Sequence, residues 1–219
     1  MEVSPIQIVL VDDHPMLRER LTLLIEKEPG MVVCGQTDNV AQALEMIRTT
    51  KVDIAIVDIT LKGSSGLELI KDIKAHGLPV PVLVLSMHDE SLYAERSLRA
   101  GARGYITKRE ATEEVLIAIR RILAGNVYLS PDFTAKVLDR ISGSGIPLEA
   151  DPALELLADR ELEVFRLIGH GRTTREIAEV LNLGLKTIDT YRDRIKQKLG
   201  FKNASELICE AARWVQNQG

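Results

Sequence analysis

Hydrophobic positions in the first half of the chain follow two alternating periods. Short, nearly unbroken apolar runs occupy residues 6–11, 31–35, 52–57, 80–86 and 104–107. Between them, at residues 15–28, 39–48, 66–75, 90–100 and 112–124, apolar residues recur every three to four positions. The unbroken runs have the pattern of parallel strands buried on both faces, and the periodic stretches that of amphipathic helices. Pro15 opens the first helical stretch and Pro29-Gly30 closes it, the positions at which these residues suit helix ends. Five such units predict an α/β fold: a doubly wound five-stranded parallel sheet with right-handed crossovers.

After residue 150 the unbroken apolar runs disappear. Apolar spacing predicts four helices at residues 159–168, 173–181, 185–199 and 203–216. Thr173 followed by Glu176 fits a capping box, as does Asn203 followed by Glu206 at the fourth helix. Asn182-Leu183-Gly184 is a tight turn, and the helix after it is basic. That pairing predicts an all-α helix-turn-helix domain whose second helix fits the DNA major groove. A short amphipathic helix is expected at residues 131–140. The Ser/Gly alternation at 141–147 reads as flexible linker. The expected organisation is a first domain at 1–125, a linker with a short helix at 126–152, and the helix-turn-helix domain at 153–219.

Charge sharpens this division. The chain of 219 residues carries a net −4, which taken whole argues against nucleic-acid binding. The sequence after residue 150 has 11 basic and 11 acidic residues, so the first 150 residues carry the entire deficit. Within the neutral part, residues 172–202 hold eight basic side chains against four acidic ones. Two cysteines far apart, Cys34 and Cys209, are expected to be reduced and buried. No apolar run approaches the ~20 residues of a membrane span, so a cytoplasmic protein without membrane contact is expected.

Strand ends along one edge of a parallel sheet form its ligand crevice. Asp12 and Asp13 end the first strand, Asp58 the third and Ser86 the fourth, with Lys108 after the fifth. Three carboxylates gathered there repel one another unless a cation or proton lies among them, and an oxygen-ligated divalent ion, Mg2+ most simply, is implied. A carboxylate is also a competent nucleophile toward phosphorus, and phosphoryl transfer asks mainly for positioning and charge neutralisation. His14 and His76 show no partner at metal-ligand spacing and are assigned to the surface.

This set, in this order, resembles the receiver domain of two-component response regulators over residues 5–125, a flavodoxin-like fold. The resemblance implies that Asp58 is the phospho-acceptor, taking its phosphoryl group from a sensor histidine kinase. It further implies that Asp13, Asp58 and the backbone carbonyl of Thr60 hold Mg2+, with Asp12 acting through water. Lys108 would pair with the phosphoryl oxygens, Ser86 and Tyr105 would form the switch, and Thr60 and His88 would tune hydrolysis. Lys62 and Arg109 stand where many receivers have proline.

Residues 160–165, 174–178, 186–191 and 198–200 resemble the DNA-binding domain of the LuxR/NarL/FixJ class. That resemblance implies double-stranded operator DNA bound by a homodimer, with Leu207, Glu210, Ala211 and Trp214 of the last helix as interface candidates; Trp214 could equally cap the core. On the basic helix, Leu185, Ile188, Ile195 and Leu199 are expected to face inward. Lys186, Thr187, Asp189, Thr190, Asp193, Arg194 and Gln197 project outward. Lys186, Arg194 and Lys198 suit phosphates, while Asp189, Thr190 and Asp193 suit base edges; the aspartates could instead only balance Arg192 and Lys196. Ala158 and Gly184 stand where capping hydroxyls are usual. The reading is a transcriptional response regulator switched by Mg2+-dependent phosphorylation, not a turnover enzyme. The alternatives are a partner-controlled DNA binder and an Mg2+-dependent aspartyl phosphatase.

Overall fold

A computed structural model describes residues 4–61, 64–87, 90–135 and 154–217. The chain divides into two compact units, Met1–Ile146 and Pro147–Gly219. In the first, β1 (Ile6–Val11), β2 (Met31–Thr37), β3 (Ile54–Asp58), β6 (Val82–Ser86) and β7 (Gly104–Thr107) form one parallel sheet in the order β2-β1-β3-β6-β7. Helices α1 (Pro15–Glu26), α2 (Val40–Thr49), α3 (Gly66–Ala75), α4 (Glu90–Ala100) and α5 (Ala111–Leu123) alternate with the strands. This is the predicted doubly wound architecture. One element went unpredicted, a small antiparallel hairpin of β4 (Thr60–Leu61) and β5 (Ser64–Ser65) just after Asp58.

The strand sequences sort by size onto the two faces. Ile8, Leu10, Ile54, Ile56, Leu83, Leu85 and Ile106 share one buried cluster with Leu21 and Ile25 of α1 and Val115, Ile119 and Ile122 of α5. The alternate residues Val9, Val11, Ala55, Val57, Val82 and Val84 point to the other face and are almost completely buried. Both faces are therefore covered, as near-continuous apolar strands require. Pro81 lacks a donor N–H, and β6 begins only after it.

Register then aligns the strand ends. Val11 lies beside Val57, so Asp12 emerges next to Asp58; Asp58 lies beside Leu85, and Ser86 beside Thr107. Past α5 the chain returns to the sheet edge, where Tyr128 bridges Gly104 and its carbonyl accepts from the Tyr105 N–H at 2.9 Å. Residues 131–135 are helical, whereas the rest of the expected linker helix and the Ser/Gly segment lie outside the described residues. Among the described residues no helix is long and apolar enough to cross a membrane. Both cysteines are free, as expected, but exposed rather than buried.

The second unit contains a 3-10 turn (Leu154–Leu156), α6 (Asp159–Gly169), α7 (Thr174–Leu181), α8 (Leu185–Leu199) and α9 (Ala204–Asn217). The capping box at α7 forms: Thr173 Oγ1 accepts from the Glu176 N–H, and Glu176 Oε2 from the Thr173 N–H at 2.8 Å. Asn182 ends α7 in the left-handed conformation, and the Leu183 N–H returns to the Ala178 carbonyl at 2.9 Å. At α6, Ala158 offers no side-chain cap, but Glu161 Oε2 accepts from its N–H at 2.8 Å and supplies half of a box. α6 and α9 meet at Gly169, where an added Cβ would fall 2.4 Å from the Ala211 carbonyl oxygen.

Candidate functional site

Three strand ends build the acidic pocket. Asp12 and Asp58 are nearly inaccessible to solvent, and the Lys108 ammonium bridges them, 2.7 Å from Asp58 Oδ2 and 2.7 Å from Asp12 Oδ2. The Lys108 N–H donates to the Ser86 carbonyl at 2.7 Å, tying the end of β7 to that of β6. The Thr60 N–H donates to Asp58 Oδ1 at 3.1 Å, and the Arg18 guanidinium donates to the Asp12 carbonyl. Ser86 is fully buried and Tyr105 almost so. His88 and Lys62 lie outside the described residues.

The structure corrects one expectation here. His14 is at the surface, as expected, but it is not without partners: its Nδ1 lies 2.7 Å from Asp13 Oδ1 and 3.1 Å from Asp12 Oδ1. The cause is local. His14 is the residue before Pro15 at the start of α1, and its N–H donates to Asp12 Oδ1 at 2.7 Å, folding the ring back over the acidic pair. His76 shows no such company; its Nδ1 lies 2.8 Å from the Asp72 carbonyl, within one turn of α3.

Electrostatics follow from this crowding. Burial pushes the Asp58 carboxyl up to about 7; Lys108 pulls it down and Asp12 pushes it further up. For Lys108, burial favours the neutral amine, but Asp58 and Asp12 outweigh it and hold the ammonium above its ordinary range. Asp12 Oδ2 and Asp13 Oδ1 are closed to solvent, with the Lys108 ammonium and the His14 ring nitrogen as their close neighbours. Ligand atoms of Asp12, Asp13, His14 and Asp58 lie within 4.8 Å of one another. A pocket with surplus buried oxygen acceptors suits a hard divalent cation.

A pH prediction follows with its sign. Because the folded-state value exceeds the ordinary 3.8, folding takes up a proton between the two values, so stability falls as pH rises from about 3.8 to about 7 and the full cost of the buried charge remains above that. Asp58→Asn is therefore expected to melt higher than wild type at pH 8 without Mg2+. The gain should shrink steadily below pH 7. Thermal unfolding at pH 8 and pH 6 checks this, and equal melting temperatures at pH 8 would contradict it.

In the second unit, α8 presents the candidate DNA face. Ile188 and Ile195 are buried and Leu199 partly so, while Lys186, Asp189, Thr190, Asp193 and Arg194 are exposed and Thr187 is half-buried. Leu185 is a correction: at the first helical position it is 53% exposed rather than in the core. The Thr190 hydroxyl donates to the Lys186 carbonyl at 2.9 Å. Asp193 pairs with Lys196 at 2.9 Å. Lys198 is held within the unit, its Nζ 2.6 Å from the buried Glu161 carboxylate and 3.1 Å from the Leu156 carbonyl.

These two kinds of basic side chain predict different losses. Lys198→Ala removes the charged partner of the buried Glu161 carboxylate, leaving it the Ala158 N–H, and is expected to cost about 1–3 kcal/mol of stability, seen as a lower denaturation midpoint. Lys186→Ala and Arg194→Ala are expected to leave that midpoint unchanged and to reduce the salt dependence of DNA binding by about one counterion each. Chemical denaturation and salt-titrated DNA binding check both, and the reverse pattern would contradict the assignment.

The last helix also requires correction. Leu207 and Ala211 have no exposed surface and pack inside the unit, so they cannot meet a second copy. Trp214 is half-buried with its ring 5.8 Å from Phe165, the core-capping alternative. Glu210 is partly exposed and pairs with Arg213 at 2.9 Å. The outward face carries Ser205, Ile208 and Cys209 instead, with Ile208 46% exposed. Two apolar stripes run along this helix, and spacing alone did not say which one the core takes.

Comparison with known proteins extends both halves. The family described as response regulator receiver domain matches residues 8–120, and that described as bacterial regulatory proteins, luxR family, matches residues 155–211. A putative transcriptional regulator of Pseudomonas aeruginosa is 38% identical over 94% of this chain and 97% of its own length. The virulence factors putative positive transcription regulator BvgA of Bordetella pertussis is 35% identical over 94% of this chain and 97% of its own. Among solved structures, a LuxR-family two-component response regulator from Aurantimonas is similar with a TM-score of 0.59 and 36% identity, over 64% of this chain and 99% of that one.

Proposed function

Because the chain belongs to the two-component response regulators with a receiver and a LuxR-type DNA-binding domain, we propose that it is a transcription regulator switched by phosphorylation of Asp58. The observation that carries this reading is the buried Asp58–Lys108–Asp12 bridge, with the side chains 2.7 Å apart on each side. Nothing in a purely structural domain requires two carboxylates to share one buried lysine at a strand-end crevice. Such burial is costly unless the charges are used.

In this reading residues 1–125 receive the phosphoryl group from a sensor histidine kinase, and residues 153–219 bind double-stranded DNA in the cytoplasm. Asp12, Asp13 and Asp58, with the Thr60 carbonyl, would hold Mg2+, which supplies charge neutralisation for the incoming phosphoryl group. Asp58 is the nucleophile through the oxygen that Lys108 now holds. The Thr60 N–H keeps the other oxygen in place. Once Asp58 carries the phosphoryl group as an acyl phosphate, Lys108 gains phosphoryl oxygens as partners, and the Ser86 hydroxyl and the Tyr105 ring are the groups next in line to rearrange. Thr60 and His88 would tune hydrolysis of the acyl phosphate.

DNA contact is assigned to Lys186, Thr187, Asp189, Thr190, Asp193 and Arg194. A second copy would meet the outward face of α9 at Ser205, Ile208 and Cys209. Asp58→Ala and wild-type protein, each with and without acetyl phosphate and Mg2+, test the whole. Growth of dimer in sedimentation and tighter retention of genomic DNA fragments are expected in treated wild type alone. Identical behaviour of all four samples would favour a partner-controlled DNA binder instead.

A further inference from the structure

His14 has no part in the three-carboxylate reading, yet it is built into the pocket. Its Nδ1 is 2.7 Å from Asp13 Oδ1, 3.1 Å from Asp12 Oδ1 and 3.3 Å from Lys108 Nζ. Its backbone N–H is fixed on Asp12 at 2.7 Å while its side chain remains 59% exposed, so the ring can turn without leaving the acidic pair. We propose that His14 is a fourth donor of this metal site, and that its imidazole makes the pocket take a late first-row divalent cation, Zn2+ as the representative, more tightly than Mg2+. The proposal rests on reading Asp12, Asp13 and Asp58 as a metal site and adds what sets the choice of ion.

Three observations converge. The four ligand atoms lie within 4.8 Å of one another, a span that small side-chain rotations close onto one ion. Asp12 Oδ2 and Asp13 Oδ1 are buried and set only against the Lys108 ammonium and the His14 ring, so the carboxylate oxygens of the site outnumber the cations beside them. Among the described residues the ring nitrogen beside them is Nδ1, and its 2.7 Å approach to Asp13 Oδ1 sets an imidazole and a carboxylate side by side as a pair of metal donors would be. Mg2+ gains little from an imidazole and prefers oxygen and water, whereas Zn2+ binds imidazole and carboxylate together at about 2.0–2.2 Å. Lys108, close to the same nitrogen, must withdraw from Asp12 when such an ion enters.

Calorimetric titration of the full chain with MgCl2 alone and ZnSO4 alone tests this, in wild type, His14→Gln and Asp13→Asn. The expected result is a Zn2+ affinity at least roughly tenfold weaker in His14→Gln with Mg2+ affinity nearly unchanged. The His14 imidazole resonances in NMR should shift on Zn2+ addition and stay in place with Mg2+. Equal Zn2+ binding by wild type and His14→Gln overturns the role of His14. A parallel loss of both ions in His14→Gln also overturns it, because it would mark the ring as a structural brace. If Asp13→Asn binds Mg2+ as wild type does, the three-carboxylate reading itself fails, a result distinguishable from failure at His14 alone.

Discussion

Gly66→Ala is expected to disable the acidic pocket while leaving the second unit intact. Gly66 starts α3 immediately after the small hairpin, and its N–H donates to the Ile59 carbonyl at 2.8 Å. A Cβ there would fall 1.9 Å from the Asp58 carbonyl oxygen, 2.8 Å from the Asp58 carbonyl carbon and 2.9 Å from Val57 Cγ1. The nearest obstacle is backbone, which has no rotamer to change, so either β3 or α3 must move. Overpacking of this kind costs on the order of 3 kcal/mol, and the displaced segment is the one that carries Asp58 and Thr60. Thermal unfolding should show the first unit melting roughly 10 °C lower, and calorimetry should show Mg2+ binding lost. Gly35→Ala is the matched control, since its Cβ would meet the flexible Met46 sulfur at 3.1 Å and is expected to cost about 0.5 kcal/mol or less. Equal melting of Gly66→Ala and wild type would refute the close approach.

Lys108→Met is expected to destabilise the metal-free protein at pH 8 by about 3–5 kcal/mol, the usual loss when one partner of a buried ion pair is removed. Lys108 is almost buried and touches two carboxylates at once. Without its charge Asp58 loses the main influence pulling its carboxyl down, while burial and Asp12 still push it up. The protein should respond by holding a proton on Asp58, so the deficit shrinks as pH falls toward 6. A divalent cation can replace the missing charge. Denaturation midpoints measured with and without Mg2+ at pH 6 and pH 8 should therefore converge when Mg2+ is present and diverge most at pH 8 in its absence. A deficit independent of both pH and Mg2+ would mean that Lys108 contributes only packing.

The two halves of the chain were legible in the sequence to different depths. Strand runs such as 6–11 and 104–107 carry their burial on their face: Ile and Val without interruption require cover on both sides, whatever provides it. Thr173 and Glu176, three residues apart, contain both halves of a cap, so α7 announced its own start. The hairpin after Asp58 was not legible, because two-residue strands leave no periodic trace. Lys198 was read as a phosphate ligand since its spacing on α8 permits it; the buried Glu161 that claims it is 37 positions away.

Sequence by itself determined the five βα units, the helix-turn-helix and the acids at strand ends. All of these follow from local period, caps and turns within a few residues. Tertiary structure alone decided that Lys108 spans Asp58 and Asp12, that His14 turns onto Asp12 and Asp13, and that Leu207 and Ala211 rather than Ile208 and Cys209 fill the core. It also decided that burial pushes the Asp58 carboxyl up to about 7. Hydrophobic spacing states that a face must be covered or that a charge must be neutralised. Which distant residue does so depends on strand register and on how helices cross, and a 2.7 Å contact between residues 50 positions apart exists only once those are set.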